Sequence, residues 1–141
     1  MVVVHGRCYS PQGLAGFVAE KEGAIVGLVT YDLEETACHV VTLDSARPRQ
    51  GVGSALLSSV EAEACRAARP RVRLVTSNDN LEALRFYQRR GYTLAALRPG
   101  ELARSRAIKP YIPLIGRHGI PLRDEIELEK RFEGPERSAT P

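Results

Sequence analysis

Apolar and polar positions along the chain follow two different periods. Val2–Val4 are β-branched and predict a strand that starts almost at the first residue, with Pro11-Gln12-Gly13 ending that segment. Leu14–Ala19 predicts a second strand, Glu20-Lys21-Glu22-Gly23 a turn, and Ala24–Tyr31 a third strand that completes a hairpin. After the polar break Asp32–Glu35, Ala37–Leu43 predicts a fourth strand. The period then lengthens to four. Val52, Leu56, Val60 and Ala64 predict the buried stripe of a helix, with Glu61, Glu63, Arg66 and Arg69 off the stripe and Pro70 as the stop. Val72–Thr76 is short and β-rich and predicts a strand. Asp79 and Glu82 have capping-box spacing and open a helix through Leu81, Leu84 and Tyr87; Arg89 and Arg90 suit its negative end, and Gly91 suits the left-handed residue beyond it. Tyr92–Leu97 predicts another strand, and Glu101–Ile108 a short helix. Lys109–Leu122 holds three prolines and two glycines and is expected as a loop; Glu125–Glu129 alternates and predicts a last strand with one wet face, before a frayed tail, Gly134–Pro141.

Composition narrows the class. A chain of 141 residues with 43% hydrophobic and 26% charged residues fits one soluble globular domain, 1–141, with no repeat and no linker to divide it. The net charge of +3 is mild and arginine is spread along the chain, so the composition does not ask for a nucleic-acid partner. Cys8, Cys38 and Cys65 form no C-x-x-C, which argues against a disulfide framework or a zinc site and suits a reducing cytosol. Cys38 and Cys65 sit in apolar settings and are expected in the core. No apolar run approaches the ~20 residues of a membrane span, and MVVVHGRCYSP lacks the parts of a signal peptide. The expected compartment is the cytoplasm, with no membrane, nucleic-acid or metal partner.

The stretch VVTLDSARPRQGVGSALL, Val40–Leu57, joins a strand, a basic turn, a glycine pair and a helix start. Backbone N–H groups converge at such a turn with positive helix-end charge behind them, and that favours a phosphate. Gly51 and Gly53 lack Cβ atoms and let the backbone close on a ligand. A P-loop would need Gly-Lys-Ser/Thr, and Ser54 follows Gly53 with no lysine between. A dinucleotide turn would need a small residue where Leu56 stands and an acidic one near Thr76 and Ser77. A plain tight turn is the remaining alternative.

Some thirty residues on, Asn80, Ala83, Phe86, Tyr87 and Gly91 give N-x-x-A-x-x-F-Y-x-x-x-G-aromatic. Together with the basic G-x-G turn, this resembles the GNAT superfamily of acyl-CoA-dependent N-acetyltransferases over roughly residues 14 to 98. The closing stretch, KPYIPLIGRHGIPLRDEIELE, looks like a group within that superfamily. The resemblance implies an α/β domain with a mixed, mostly antiparallel central sheet flanked by helices. It implies that the N–H groups of Gln50, Gly51, Val52, Gly53 and Ser54 hold the CoA pyrophosphate. Pro48 departs from the family's Gln or Arg, so Arg47, Arg49 or Gln50 would supply the side-chain donor. It further implies that Val41, Thr42 and Leu43 pair with the pantetheine arm, that Asn80 sits by that arm, and that Tyr87 faces the CoA sulfur.

The chemistry asks for particular groups. An alkylamine of pKa ~10 attacks a thioester only when unprotonated, so a base or a water relay is needed. The departing thiolate takes a proton, which the Tyr87 hydroxyl can give. Tyr87 read by itself is equally a core aromatic sharing a helix face with Leu84. Similar enzymes often carry a glutamate on the fourth strand; His39 falls near that position and titrates in the useful range, although an ordinary edge or core histidine explains it as well. Glu34 and Glu35 are nearby carboxylates in a turn, and His118 lies in the long loop between Gly116 and Gly119.

Only Gly6–Gly13 stands where the superfamily has two helices after its first strand. The expectation is a truncated first strand and helices, or a start codon set late, with dimerisation or poor solubility following from exposed sheet surface. The function expected is acetyl transfer from acetyl-CoA to a primary amine by direct attack in a ternary complex. The alternative is a non-catalytic acyl-CoA-binding or interaction module, favoured by the short N-terminus and Pro48; a dinucleotide binder is disfavoured by Leu56.

Overall fold

The computed structural model describes residues 3–4, 8–9, 13–46 and 51–132. The chain divides into two compact units, Met1–Val72 with Arg131–Pro141, and Arg73–Lys130.

The first unit contains β1 (Val3–Val4), β2 (Cys8–Tyr9), β3 (Ala15–Lys21), β4 (Ala24–Leu33), β5 (Cys38–Ser45) and α1 (Val52–Arg66). Its strands lie in the order β1-β3-β4-β5, each neighbour antiparallel. The strand β2 falls between the predicted first strand and Pro11, where the sequence reading assigned no separate element, with Cys8 opposite Gly16 and Tyr9 opposite Ala15. Two residues are too few for alternation to show. The β3–β4 hairpin turns on Glu22 (φ 54°) and Gly23 (φ 81°). Two left-handed residues give the turn whose twist matches that of the strands it joins.

Helix α1 lies against β3, β4 and β5. Its predicted stripe is fully buried, with Leu57 beside it and Ala19, Val29, Tyr31 and Cys38 in the same core. Fully burying one such aliphatic side chain contributes about 1.5–3 kcal/mol. Two residues depart from expectation. Glu63 is buried, and its carboxylate accepts from Arg66 Nε at 2.9 Å and from the other guanidinium nitrogen. Cys65 is exposed, because one residue past Ala64 turns about 100° off the stripe. Nor is Pro70 the stop. The helix ends at Arg66, where Ala68 adopts φ 58°, its N–H bonds Cys65 O at 3.1 Å, and Arg69 N–H bonds Ala64 O at 2.8 Å. That left-handed end satisfies the last carbonyls before proline is reached.

The second unit contains most of β6 (Arg71–Ser77), with α2 (Leu81–Arg89), β7 (Thr93–Arg98), α3 (Glu101–Ile108) and nearly all of β8 (Glu125–Arg131). Its strand order is β6-β8-β7. Strand β7 carries a bulge, since Leu94 opposes Leu128 and Ala96 opposes Glu127. The face of β8 expected to be wet is not: Glu127 is buried, bonded to Arg98 and 3.5 Å from Arg73, while Arg98 also bonds Glu125 at 2.9 Å. The cap of α2 is Asn80 rather than Asp79; its side-chain oxygen accepts from Ala83 N–H at 3.2 Å. Gly91 takes φ 92°, and Tyr92 N–H bonds Tyr87 O at 3.1 Å, the expected left-handed end.

The 109–122 segment is irregular, as expected, but it is well tied. Arg106 donates to the carbonyls of Ile112, Pro113 and Leu122 at 3.0, 2.9 and 2.6 Å. It also holds a 3₁₀ turn, Arg117–Gly119, and a bridge between Ile115 and Pro121. Gly134–Pro141 lies outside the described residues. The class expected from the sequence, α/β with a mixed, mostly antiparallel sheet flanked by helices, is the class found.

Candidate active site

The glycine turn belongs to the first unit. Arg47, Pro48, Arg49 and Gln50 lie outside the described residues. Gly51 is the N-cap of α1 at φ 77°, ψ 6°, a conformation a Cβ would strain. Among the described residues, a Cβ there would meet no atom within 4 Å. The first helical bond is Ala55 N–H to Gly51 O at 3.0 Å. The N–H groups of Val52, Gly53 and Ser54 therefore precede the helix's own ladder. The first turn of α1 contains no acidic residue, so nothing on the helix offsets its positive end. Val52 itself is buried under the sheet contact and contributes backbone only, while Gly53 and Ser54 are half-buried.

On β5, Val40 opposes Tyr31 and Thr42 opposes Thr30, so Val41 is an extra residue, a bulge opposite β4. Val41 and Thr42 are exposed and Leu43 is half-buried. The hydroxyls of Thr42 and Thr30 are bonded at 2.7 Å. Gly27 faces α1, and cross-strand partners share a face, so Tyr31, Val29 and their partners lie on the α1 side. Thr30 and Asp32, with their partners Thr42 and His39, lie on the other. The half-buried His39 has its Nδ1 3.7 Å from Glu34 Oε2. The backbone carbonyl of Glu34 in turn accepts from Arg69 Nε, and Glu35 is exposed. Cys38, one residue before His39, is fully buried; that burial, followed by the charges of Glu63, Asp32 and Glu34, pushes its thiol up to about 12.

In the second unit, α2 carries Asn80 and Tyr87. They are seven residues apart, nearly two turns, and share a face with Leu84. Tyr87 is half-buried, its ring 5.3 Å edge-on from Phe86 and 5.9 Å from Tyr92. These contacts fix the ring from two sides. His118 is bonded to Glu82, with Nε2 2.7 Å from Oε2. Glu82 stands about half a turn round the helix from Asn80. The histidine loop is thereby tied to the side of α2 that faces away from Tyr87.

Sequence reading missed Asp79 as anything but a cap. It is 2% exposed. Burial alone would raise its carboxyl, but the Ser77 hydroxyl, the backbone N–H groups of Arg117 and of Asp79 itself, and the Arg117 guanidinium outweigh burial and hold it below the usual carboxylate range. The available signal was the run Ser77-Asn78-Asp79-Asn80, four hydrogen-bonding side chains at a strand-to-helix corner. Among the described residues, no group of three or more His, Cys, Asp or Glu is placed to hold a metal ion. Among them, too, no helix is long and apolar enough to cross a membrane.

A helix start with a left-handed cap and no acidic residue in its first turn is electrostatically suited to an anion. The family model of the Acetyltransferase (GNAT) domain matches residues 12–94, and the chain belongs to that family. It is 43% identical over 118 residues to the uncharacterized protein YdhI of Bacillus subtilis (strain 168), covering 83% of this chain and 74% of that one. Its fold is similar to that of an IAA acetyltransferase from Bacillus cereus ATCC 14579, at a TM-score of 0.79 and 19% identity over 94% of this chain and 100% of the other. A GNAT family acetyltransferase from Elizabethkingia anophelis with acetyl-CoA bound is equally similar, at a TM-score of 0.79 and 17% identity over 93% of this chain and 98% of that one.

Proposed function

We propose that the protein transfers the acetyl group of acetyl-CoA to a primary amine acceptor by direct attack in a ternary complex. One observation carries the reading: Gly51, left-handed, starts a helix with no acidic residue in its first turn. That start suits a pyrophosphate, which the backbone N–H groups of Gln50, Gly51, Val52, Gly53 and Ser54 would hold, with Arg49 adding charge. The bulge at Val41 supports a second contact, in which Val41, Thr42 and Leu43 offer backbone groups to the pantetheine arm, with Asn80 beside it. Acetyl-CoA supplies the activated acyl group as a thioester.

The chain's own groups handle the protons. His39, with Glu34 near its Nδ1, is the proposed base that takes a proton from the acceptor ammonium. The neutral amine nitrogen then bonds the acyl carbon as the carbon–sulfur bond breaks, the Tyr87 hydroxyl gives its proton to the departing sulfur, and the second proton lost by the nitrogen as the amide forms restores the Tyr87 hydroxyl. The family match runs across the boundary between the two units, which supports treating the chain as one acetyltransferase domain; a cysteine pattern with no C-x-x-C suits a reducing cytoplasm. We include self-association in the proposal. It is supported by Leu94 and Leu97 of β7, 58% and 61% exposed, on a strand that ends its sheet.

Calorimetric titration with acetyl-CoA, followed by thiol release across a panel of amines, tests the reading. Binding with acceptor-dependent thiol release is expected. Binding with no release from any amine favours the non-catalytic acyl-CoA module, and absence of binding removes both.

A further inference from the structure

Four successive side chains at the β6–α2 corner each reach a different partner. The Ser77 hydroxyl donates to Asp79 Oδ1. Asn78 donates to Pro121 O at 2.9 Å, and its side-chain oxygen accepts from the N–H groups of Arg123 and Asp124 at 3.1 and 2.9 Å. Asp79 Oδ2 accepts from Arg117 N–H at 2.8 Å, with the Arg117 guanidinium 3.9 Å away. Asn80 caps α2. The segment from Gly116 to Asp124 is therefore clamped to the start of α2 by side chains of one tetrapeptide.

The clamp closes on a buried carboxylate. A Cβ added at Gly116 would lie 2.1 Å from Asp79 Oδ2, so only glycine lets the turn approach. A carboxylate buried to this degree must have donors, and losing one leaves a lone pair without water to replace it. Two of the donors to Asp79 lie on either side of it in the chain's path, Ser77 on β6 and Arg117 on the distant loop. Asp79 is also the residue before the cap. Its own carbonyl accepts Leu81 N–H at 2.9 Å, and Asn80 N–H bonds Ser77 O at 3.2 Å. Any shift of Asp79 therefore moves the cap with it. The His118–Glu82 pair ties the same turn from outside, and there both partners are exposed.

We propose that Asp79 is a positioning residue which, by gripping the backbone N–H of Arg117, sets the orientation of Asn80 for acyl-CoA. The inference rests on the proposed place of Asn80 beside the pantetheine arm. Asp79 touches no reacting atom; it acts through the cap. The loop is thus a brace for the capped start of the helix, and the identity of the side chain at 117 is secondary to its N–H.

Arg117→Pro deletes that N–H together with the guanidinium, and Arg117→Ala separates the two. Gly116, at φ −101° and ψ −150°, is extended as a residue before proline must be, and Arg117 opens a 3₁₀ turn, where proline is accepted. Arg117→Ala keeps the N–H and removes the guanidinium. Acetyl-CoA affinity is measured by calorimetry and KM and kcat by thiol release, with melting curves for each variant. Arg117→Pro is expected to weaken acetyl-CoA about tenfold with kcat within about threefold, while Arg117→Ala stays within about twofold of the starting protein. Asp79→Asn, which can still accept from Arg117 N–H, is expected to retain most of the affinity that Asp79→Ala loses. Ser77→Ala removes a second donor without touching the loop and is expected to weaken binding about threefold, which keeps the question answerable if the proline variant melts early. Folded Arg117→Pro and Ser77→Ala proteins that bind as tightly as Arg117→Ala overturn the inference alone. A starting protein that fails to bind acetyl-CoA overturns the acyl-CoA reading and this inference with it.

Discussion

Gly27 on β4 lies directly beneath Val52 of α1: a Cβ at Gly27 would come within 2.5 Å of Val52 Cγ1 and 2.9 Å of Leu56 Cδ1. The absence of one methyl group thus sets how closely the start of the helix approaches the sheet. Val52 follows Gly51, so the same contact sets the height of the candidate pyrophosphate turn. Gly27→Ala is expected to cost about 1–3 kcal/mol by overpacking and to weaken acetyl-CoA along with it. Urea unfolding and calorimetry check the two effects. An unchanged midpoint and an unchanged affinity together would show that the contact is slack.

Tyr87→Phe tests the proton donor. The ring keeps its contacts with Phe86 and Tyr92, so the fold should not suffer. Turnover is expected to fall about 10²-fold while acetyl-CoA affinity stays put, because general-acid assistance acts on the transition state. Steady-state thiol release at saturating acetyl-CoA reads the change. Wild-type turnover would take Tyr87 out of the chemistry and leave it as a packing residue.

Cys38 and Cys65 should differ sharply toward an alkylating reagent. Cys38 is buried, and its thiol is pushed up to about 12, whereas Cys65 is exposed on α1. Thiolate is the reactive form, so near pH 8 iodoacetamide should label Cys65 within minutes and leave Cys38 unmodified in the folded protein. Peptide mass spectrometry before and after denaturation distinguishes them. Equal labelling under native conditions would contradict the burial of Cys38.

Asp79 should make stability depend on acid. Its folded carboxyl is held below the ordinary range, so it contributes stability that is fully present above the unfolded value of about 3.9 and is lost as pH falls through the lower folded value. Chemical unfolding at a series of pH values, for the starting protein and for Asp79→Asn, isolates this contribution. The difference between the two curves should be flat above pH ~5 and shrink below pH ~4. A difference that grows on acidification would mean the carboxyl is raised instead.

Much of the fold was legible because it rests on local periodicity. The four-residue stripe of α1 is buried as its spacing required, the hairpin turns where Gly23 stands, and Gly91 ends α2 in the conformation glycine is suited to. What local pattern could not show is where charge is buried. Glu63 and Glu127 occupy positions that periodicity assigns to solvent, and each is buried because an arginine, Arg66 in one case and Arg98 in the other, reaches it. An arginine partner 29 residues away leaves no mark on local sequence.

The sequence by itself determined the family, because the spacing from Asn80 to Gly91 after a G-x-G turn encodes a helix cap, a helix face and a helix end. It also determined most of the strands and helices, since these follow from side-chain periods of two and of about four residues, but neither the two-residue β2 nor the 3₁₀ turn at Arg117–Gly119. Tertiary structure alone decided that Asn80 rather than Asp79 caps α2. Asp79 is drawn instead into a buried bond with a loop residue 38 positions on. The physical reason is that a carboxylate can satisfy either the nearest helix N–H or a distant one, and only folding brings Gly116 close enough for the distant one to win.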